Sequence, residues 1–479
     1  MKSNVNISSA IFALMKKKTI VTSIDVIDIA RKGFAVGKTA TGEVVMVKGA
    51  IPGDKVDVLL HKKKKGIWHG EVEKFLSRSP YLIEPVCSHF SECGGCKWQQ
   101  MSYESQTQFK EKAVKDAFKR IAKVPVGEIL PIKVSPQQFY YRNKLEYSFS
   151  ALPWLTKADV NSSETLRKLP AAGFHPAENF AKVVQVEKCH LQPEPTNEIR
   201  NFVREYGLKN DLSFFNTWKN TGFLRNLIIR DNRKGEVMVV VIVGNESEQL
   251  TPLLQAIKDK FPQIISLYYI INTKVNDSVF DLEPILFSGV KWLPENLHHV
   301  KFFIGPKSFF QTNTHQTEQM YAYVKEKSEL TGTEMVFDLY SGIGSIAQYV
   351  ADGCKQVIAI EENKAAVEDG KKNVRLNEIK NVRFFAGDTR KVIKEQNVLH
   401  DNIPDVIITD PPRAGMHEDV CLALKVSRAK RIIYISCNPS TQARDIALIS
   451  EKYKVKSLQP FDMFPHTDHV ECVAELILR

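Results

Sequence analysis

The 479-residue sequence predicts an α/β protein in three parts, and three observations carry that expectation. From about residue 313 onward, helix-type and strand-type runs alternate, which is the pattern of a doubly wound, largely parallel sheet. Near the N-terminus, five short strand-type runs broken by glycine suggest a small closed barrel of the OB type. Between them, strand-like runs alternate with polar loops and one helical stretch, an α+β pattern. The chain is too long for one ordinary core. The expected division is a flexible tail over 1–17, the barrel over 18–78, a middle domain over 79–305 and the α/β domain over 306–479.

The barrel strands are predicted at Thr19–Ile24, Gly33–Gly37, Glu43–Val47, Lys55–Leu60 and Trp68–Phe75, with a turn at Ile51-Pro52-Gly53-Asp54. Residues 1–80 hold 15 Lys and Arg against 7 Asp and Glu, so 15 − 7 = 8 of the net charge of +11 lies there. The run Lys62–Lys65 alone is equally a solvated loop. Basic charge recurring through a whole domain favours a polyanionic partner.

Three clustered cysteines, Cys87, Cys93 and Cys96, open the middle region. An amphipathic helix is expected over Met101–Ala122, with Phe109, Ala113, Val114, Ala117, Phe118 and Ile121 on its apolar side. Phe139–Tyr147 alternates as an antiparallel strand does, Lys157–Lys168 is a loop, and a helix falls near Pro193–Tyr206. Leu224–Arg230 and Val237–Val243 form a hairpin. In the α/β region the expected strands are Met335–Leu339, Gln356–Glu361, Val382–Ala386, Asp405–Thr409, Arg431–Ser436, Val455–Asp462 and Glu471–Leu478. Helices are expected over Thr317–Ser328, Ser345–Ala351, Lys364–Asn377, Arg390–Gln396, His417–Lys425 and Thr441–Glu451. No run approaches the ~20 apolar residues of a membrane span, and Ile11–Met15 is too short for a signal-peptide core. A cytoplasmic protein without disulfides is expected, so clustered cysteines point to metal or catalysis.

The chemistry-bearing motifs fall at strand ends, where such sheets bind ligands. Asp338-Leu339-Tyr340-Ser341-Gly342-Ile343-Gly344-Ser345 ends one strand and opens a helix, whose N-terminus offers oriented N–H groups. Glu361 closes the next strand, 361 − 342 = 19 residues past the first glycine, where a carboxylate can accept from ribose hydroxyls. A dinucleotide would suit the same pair. A methyl-donor nucleoside is favoured because Asp410-Pro411-Pro412-Arg413 ends the fourth strand, as in methyltransferases acting on planar nitrogen-bearing rings. Cys354, Cys421 and Cys472 read as small buried hydrophobes. Cys437 differs: it ends a strand in Ser436-Cys437-Asn438-Pro439 just before a helix N-terminus, which lowers and exposes a thiol.

A nucleophilic thiol beside a methyl donor has a specific meaning. Carbon 5 of a pyrimidine is a weak nucleophile until a thiolate adds at carbon 6 and makes an enolate. A base must then remove the carbon-5 proton, and Glu471 in His466–Glu471 is the candidate. A salt bridge at a strand start is the bland reading of Glu471 alone.

Ser308-Phe309-Phe310-Gln311-Thr312-Asn313, Asp338–Ser345, Asp410–Arg413, Ser436–Pro439 and His466–Glu471 resemble the signature set of the RNA uracil-C5 methyltransferases. Residues 18–76 resemble that family's TRAM barrel. The resemblance implies a Rossmann-like catalytic domain, S-adenosylmethionine as methyl donor and RNA as partner. It makes Cys437 the nucleophile, Glu471 the base, and Gln311, Tyr340, Ser345, Glu361 and Asp410 donor-site residues, with Asp388 meeting the adenine. The usual Phe-Cys before the first glycine is Tyr340-Ser341 here.

Cys87, Cys93, Cys96 and the distant Cys189 resemble the four-cysteine [4Fe–4S] site of the 23S ribosomal RNA branch, whereas four thiolates on spacing alone equally hold zinc. The expected cluster is structural, with His89 and His190 outside it. A uracil in stacked RNA must be flipped to meet a buried thiol. Phe139–Tyr147 and Phe309-Phe310 could stack bases, and Arg142, Lys144, Arg225 and Arg230 could contact phosphates. The expected activity is methylation of a 23S rRNA uridine. The alternatives are the same reaction on tRNA, or an RNA-binding ribosome-assembly factor without turnover. No membrane or obligate protein partner is expected.

Overall fold

A computed structural model describes residues 19–30, 33–156, 169–177, 179–395 and 403–479. The expected tail over 1–17 and loop over 157–168 lie outside the described residues. The chain forms two compact units. One comprises the chain up to Val86 with Lys97–Phe109 and His466–Asp468. The other comprises Cys87–Cys96, Lys110–Pro465 and His469–Arg479.

In the first unit, β1 (Thr19–Ile29), β2 (Ala35–Lys38), β3 (Val44–Lys48), β4 (Lys55–Lys64) and β5 (Ile67–Ser77) close a barrel in the order β1-β2-β3-β5-β4. Alternating positions supply its interior: Ile24, Val26, Val45, Val47, Val56 and Val58 are all buried. Strand β1 outruns its expected end because Ser23, at φ 57°, forms an irregularity that re-aims it and lets pairing resume at Ile24. The lysine-rich end of β4 pairs with β5, so Lys62, Lys63 and Lys64 are strand residues rather than a loop.

Helix α1 (Tyr103–Ala117), whose residues up to Phe109 belong to the first unit, ends within the second in a π-helical turn, Phe118–Ala122, closed by Lys123 at φ 53°. Strand β6 (Val126–Ile129) follows, then β7 (Lys144–Ser150), β8 (Ala171–Phe174), β9 (Val184–Gln185), α2 (Thr196–Lys209), β10 (Leu224–Asp231) and β11 (Val237–Val243). Next come α3 (Leu250–Lys260), β12 (Ile264–Ile271), β13 (Ile285–Gly289) and the hairpin β14 (Leu293–Leu297)–β15 (Val300–Ile304). One seven-stranded sheet runs β13-β12-β11-β10-β7-β8-β9. The expected strand over Phe139–Tyr147 begins only at Lys144. Its first half is diverted: Tyr140 sits at φ 54°, and the Tyr140 and Arg142 N–H groups donate to the His190 and Leu191 carbonyls.

The α/β sheet follows: α4 (Thr314–Ser328), β16 (Met335–Leu339), α5 (Ser345–Val350), β17 (Gln356–Glu361), α6 (Lys364–Leu376), β18 (Val382–Ala386), α7 (Thr389–Glu395) and β19 (Val406–Thr409). Then come α8 (Glu418–Ser427), β20 (Arg431–Ser436), α9 (Pro439–Ile449), β21 (Tyr453–Phe461) and β22 (Glu471–Leu478). The strand order is β18-β17-β16-β19-β20-β22-β21-β6. Strands β16 to β20 are parallel, and β22 inserts antiparallel between β20 and β21. Strand β6, from the stretch expected in the middle domain, joins this sheet beside β21. Val114 and Phe118 share one core with Ile432, Tyr434 and Ile446, so this end of α1 packs on the α/β sheet. Among the described residues, no helix is long and apolar enough to cross a membrane.

Candidate active site

The carboxyl ends of β16, β17, β19 and β20 open into a cavity of about 1400 Å³. Its lining includes Gln311, Tyr340, Ser345, Glu361, Asp388, Asp410, Cys437 and Glu471, so it brings together every catalytic and donor-site residue expected from sequence.

The first βα turn is built by hydrogen bonds from the loop to the sheet. Tyr340 takes φ 62°, the Ser341 N–H donates to the Ile360 carbonyl at 3.0 Å, and the Gly342 N–H donates to Glu361 Oε2 at 2.9 Å. Gly344, at φ 71°, caps α5; a Cβ there would lie 2.5 Å from the Phe384 ring. Asp338 Oδ2 accepts from the Ala347 N–H at 3.0 Å, while its buried Oδ1 and the Ser341 hydroxyl have no partner. Burial pushes the Asp338 carboxyl well above the usual range. Both orphaned atoms belong to residues lining the cavity, so a polar ligand there would complete them.

The other donor-side residues are differently engaged. The Ser345 hydroxyl shares a 2.8 Å hydrogen bond with the buried Tyr321. Asp388 caps α7 and is held by Arg390, whose guanidinium lowers its carboxyl to about 2. Gln311 Nε2 donates to Asp410 Oδ2 at 3.4 Å, and burial lifts the Asp410 carboxyl to about 7.

Cys437 and Glu471 are placed by strand register. Ser436 of β20 pairs with Cys472 of β22, which sets Cys437 and Glu471 at the same end of adjacent strands. The loop after β19 is tied to the same corner, since Asn438 Nδ2 and Thr441 Oγ1 donate to the Arg413 carbonyl at 3.0 and 3.4 Å. The expected lowering of the thiol by the α9 N-terminus is overturned. Burial first, then Glu471 and Asp410, push Cys437 up to about 11, with Arg413 pulling the other way. Burial and Asp410 likewise raise Glu471 well above the carboxylate range. Burial thus disfavours the charged form of both the thiol and the carboxyl.

Residues 293–478 match the profile of the tRNA (uracil-5-)-methyltransferases, and residues 21–72 match the TRAM domain. An uncharacterized RNA methyltransferase of Bacteroides thetaiotaomicron is 46% identical over 455 residues, covering 94% of this chain and 100% of that protein. One from Porphyromonas gingivalis is 42% identical over 464 residues, covering 95% and 99%. The chain belongs to the RNA uracil-5-methyltransferase family. This methyltransferase is also similar to the solved tRNA (uracil-54, C5)-methyltransferase of Pyrococcus abyssi in complex with S-adenosyl-L-homocysteine. That structure has a TM-score of 0.72 and 27% identity, and the match covers 95% of this chain and 99% of that one. S-adenosylmethionine is the methyl donor of the family, and the orphaned Asp338 and Ser341 atoms fit a polar ligand in the methyltransferase cavity.

Two expected phosphate contacts are corrected. Arg225 is 1% exposed and spends its guanidinium on backbone carbonyls. Arg230 is equally buried and donates to the Ser308 carbonyl. Both guanidinium groups are turned inward and leave no surface for a phosphate. Arg142 does line the methyltransferase cavity, with its Nε buried and unpartnered. Sequence reasoning gave Asp338 no role of its own. Its signal was an acid in the otherwise apolar Met335–Leu339 strand. Phe464 and His469 also line the cavity and were missed, because loop residues carry no periodicity.

Among the described residues, no three or more His, Cys, Asp or Glu stand as a metal-holding group. Cys93 lies within electrostatic reach of the other three cysteines: burial chiefly, then Cys96, Cys189 and Cys87, raise it to about 12. Cys189 is fixed by Asn197, which accepts from its N–H at 2.7 Å and donates to its carbonyl at 3.1 Å. His89 Nε2 accepts from the Glu187 N–H, and His190 Nδ1 meets the Tyr140 hydroxyl, so both rings are otherwise engaged. Four soft thiol donors without a carboxylate suit zinc or an iron–sulfur centre.

Proposed function

We propose that the protein methylates carbon 5 of a uridine in 23S rRNA through a covalent Cys437–uracil adduct. The observation that carries this reading is the pairing of a thiol and a buried carboxyl, Cys437 and Glu471, in a methyl-donor cavity. N-methylation needs no such thiol. S-adenosylmethionine, when bound, supplies an electrophilic methyl group. Cys437 gives its proton to solvent and its thiolate adds to carbon 6 of a flipped uracil, making an enolate whose carbon 5 would take the methyl group and leave the donor as a neutral thioether. Glu471 then takes the carbon-5 proton, the carbon 6–sulfur bond breaks, and the thiolate leaves. The burial that raises the Glu471 carboxyl makes its ionised form the stronger base.

The test is Glu471→Gln with unmodified 23S rRNA transcript and labelled methyl donor. A detergent-stable RNA–protein adduct carrying the label should accumulate, and Cys437→Ala should form none. Labelled RNA at the wild-type rate from Cys437→Ala would overturn the mechanism. The solved relative named for tRNA uracil-54 supports tRNA as the second reading. Methylation of tRNA transcript with none of 23S rRNA would move the assignment there. Cys87, Cys93, Cys96 and Cys189 would hold a [4Fe–4S] cluster as a structural tie; the electrostatic reach of Cys93 to the other three and their resemblance to the rRNA branch support it. Zinc without iron or sulfide in anaerobically purified protein would replace the cluster.

A further inference from the structure

Residues 272–284 connect β12 to β13 without helix or strand, yet the connector is anchored throughout. Arg225, on β10, donates to the carbonyls of Asn272 (2.8 Å), Lys274 (2.6 Å) and Asn276 (2.8 Å), and to Asp277 Oδ1 (3.0 Å). Lys307 Nζ holds the far end by donating to the carbonyls of Phe280 (3.0 Å) and Leu282 (2.8 Å). Val279 and Leu282 pack beneath, against the cluster of Ile228, Met238 and Val240. Between these two inward side chains, Phe280 points outward and is 72% exposed.

A single exposed phenylalanine is ordinary. This one is not isolated. Phe280 lines the mouth of the cavity that holds Cys437, as does Phe309, which is 66% exposed. Lys291, Lys307 and Glu283 line the same cavity, and Lys372 there is paired with Asp369. A saturated buried arginine whose acceptors all lie in one connector fixes that connector's outer surface. A fixed, exposed aromatic ring with a lysine bound to its own carbonyl, in a cavity lined by further lysines, is what an unpaired nucleotide stacks on.

Resting on the reading that this cavity takes an RNA uridine, we propose that Phe280 is a stacking platform for an unpaired base neighbouring the target nucleotide. Arg225 and Lys307 are its positioning residues. The platform selects for single-stranded RNA beside the target and is independent of the thiol chemistry.

The test is binding without methyl donor, by fluorescence anisotropy, of a labelled 12-nucleotide oligouridylate and an abasic 12-nucleotide backbone. Phe280→Ala should weaken oligouridylate binding by about fivefold or more and leave the abasic strand unchanged. Phe280→Tyr should bind both strands as the wild type does. An unchanged oligouridylate affinity, or equal losses on both strands, would overturn the platform. Failure of methylation with the base-dependent difference intact would count against the covalent mechanism alone.

Discussion

The protonation state of Cys437 is directly measurable. Its thiol lies at about 11 rather than the ordinary 9.0. Two units of pKa mean a hundredfold smaller thiolate population, about one part in a thousand at pH 8. A more basic thiolate is also more nucleophilic, which on the usual Brønsted slope returns a factor of about eight. The native thiol should therefore react with iodoacetamide about tenfold more slowly than the same cysteine in urea at pH 8. Peptide mass mapping separates Cys437 from the other seven cysteines. The native rate should climb about tenfold per pH unit without levelling up to pH 10, whereas the unfolded rate levels off above about 9. Glu471→Gln should move the bend to lower pH, because a nearby carboxylate is one of the charges that raises it. A native rate that levels off at or below pH 9 would refute the argument and return the helix N-terminus to the leading role.

Two further outcomes follow from the packing. Gly344→Ala puts a Cβ 2.5 Å from Phe384 at a left-handed backbone position; it should cost at least about 1–2 kcal/mol in thermal or urea unfolding and abolish calorimetric binding of S-adenosylmethionine. Lys110, fully buried, donates to Asp462 at 2.6 Å, so Lys110→Met should destabilise by about 3–5 kcal/mol in urea unfolding, and the added change Asp462→Leu should recover most of that.

The α/β region was legible because its local rules agree with its tertiary fold. Strands Met335–Leu339, Gln356–Glu361, Val382–Ala386, Arg431–Ser436 and Glu471–Leu478 fall where apolar runs between helical patterns place them. The site was legible for the same reason, since its motifs sit at the ends of those strands. What escaped depends on burial. Arg225 and Arg230 look like surface arginines in an alternating strand, and only the packed sheet shows their charge turned inward onto carbonyls. Local sequence places Cys437 at a helix N-terminus, but the opposing carboxylates arrive from residues 27 positions before and 34 after it, as 437 − 410 and 471 − 437 show. The failed half of the Phe139–Tyr147 strand turned on one left-handed residue, Tyr140, whose side chain does not announce that conformation.

The antiparallel seat of β22 between β20 and β21 acts as a ruler. Because Ser436 opposes Cys472, the spacing of Cys437 and Glu471 is set by one rung of a ladder and not by the connector between β21 and β22. Chain added to that connector would lengthen a loop whose closure cost grows only slowly with size. A one-residue slip of the ladder would instead turn Glu471 to the opposite face of the sheet. The positions of Cys437 and Glu471 are thus insulated from length changes in the connector, while Phe464 and His469 tie that connector's own sequence to the cavity they line.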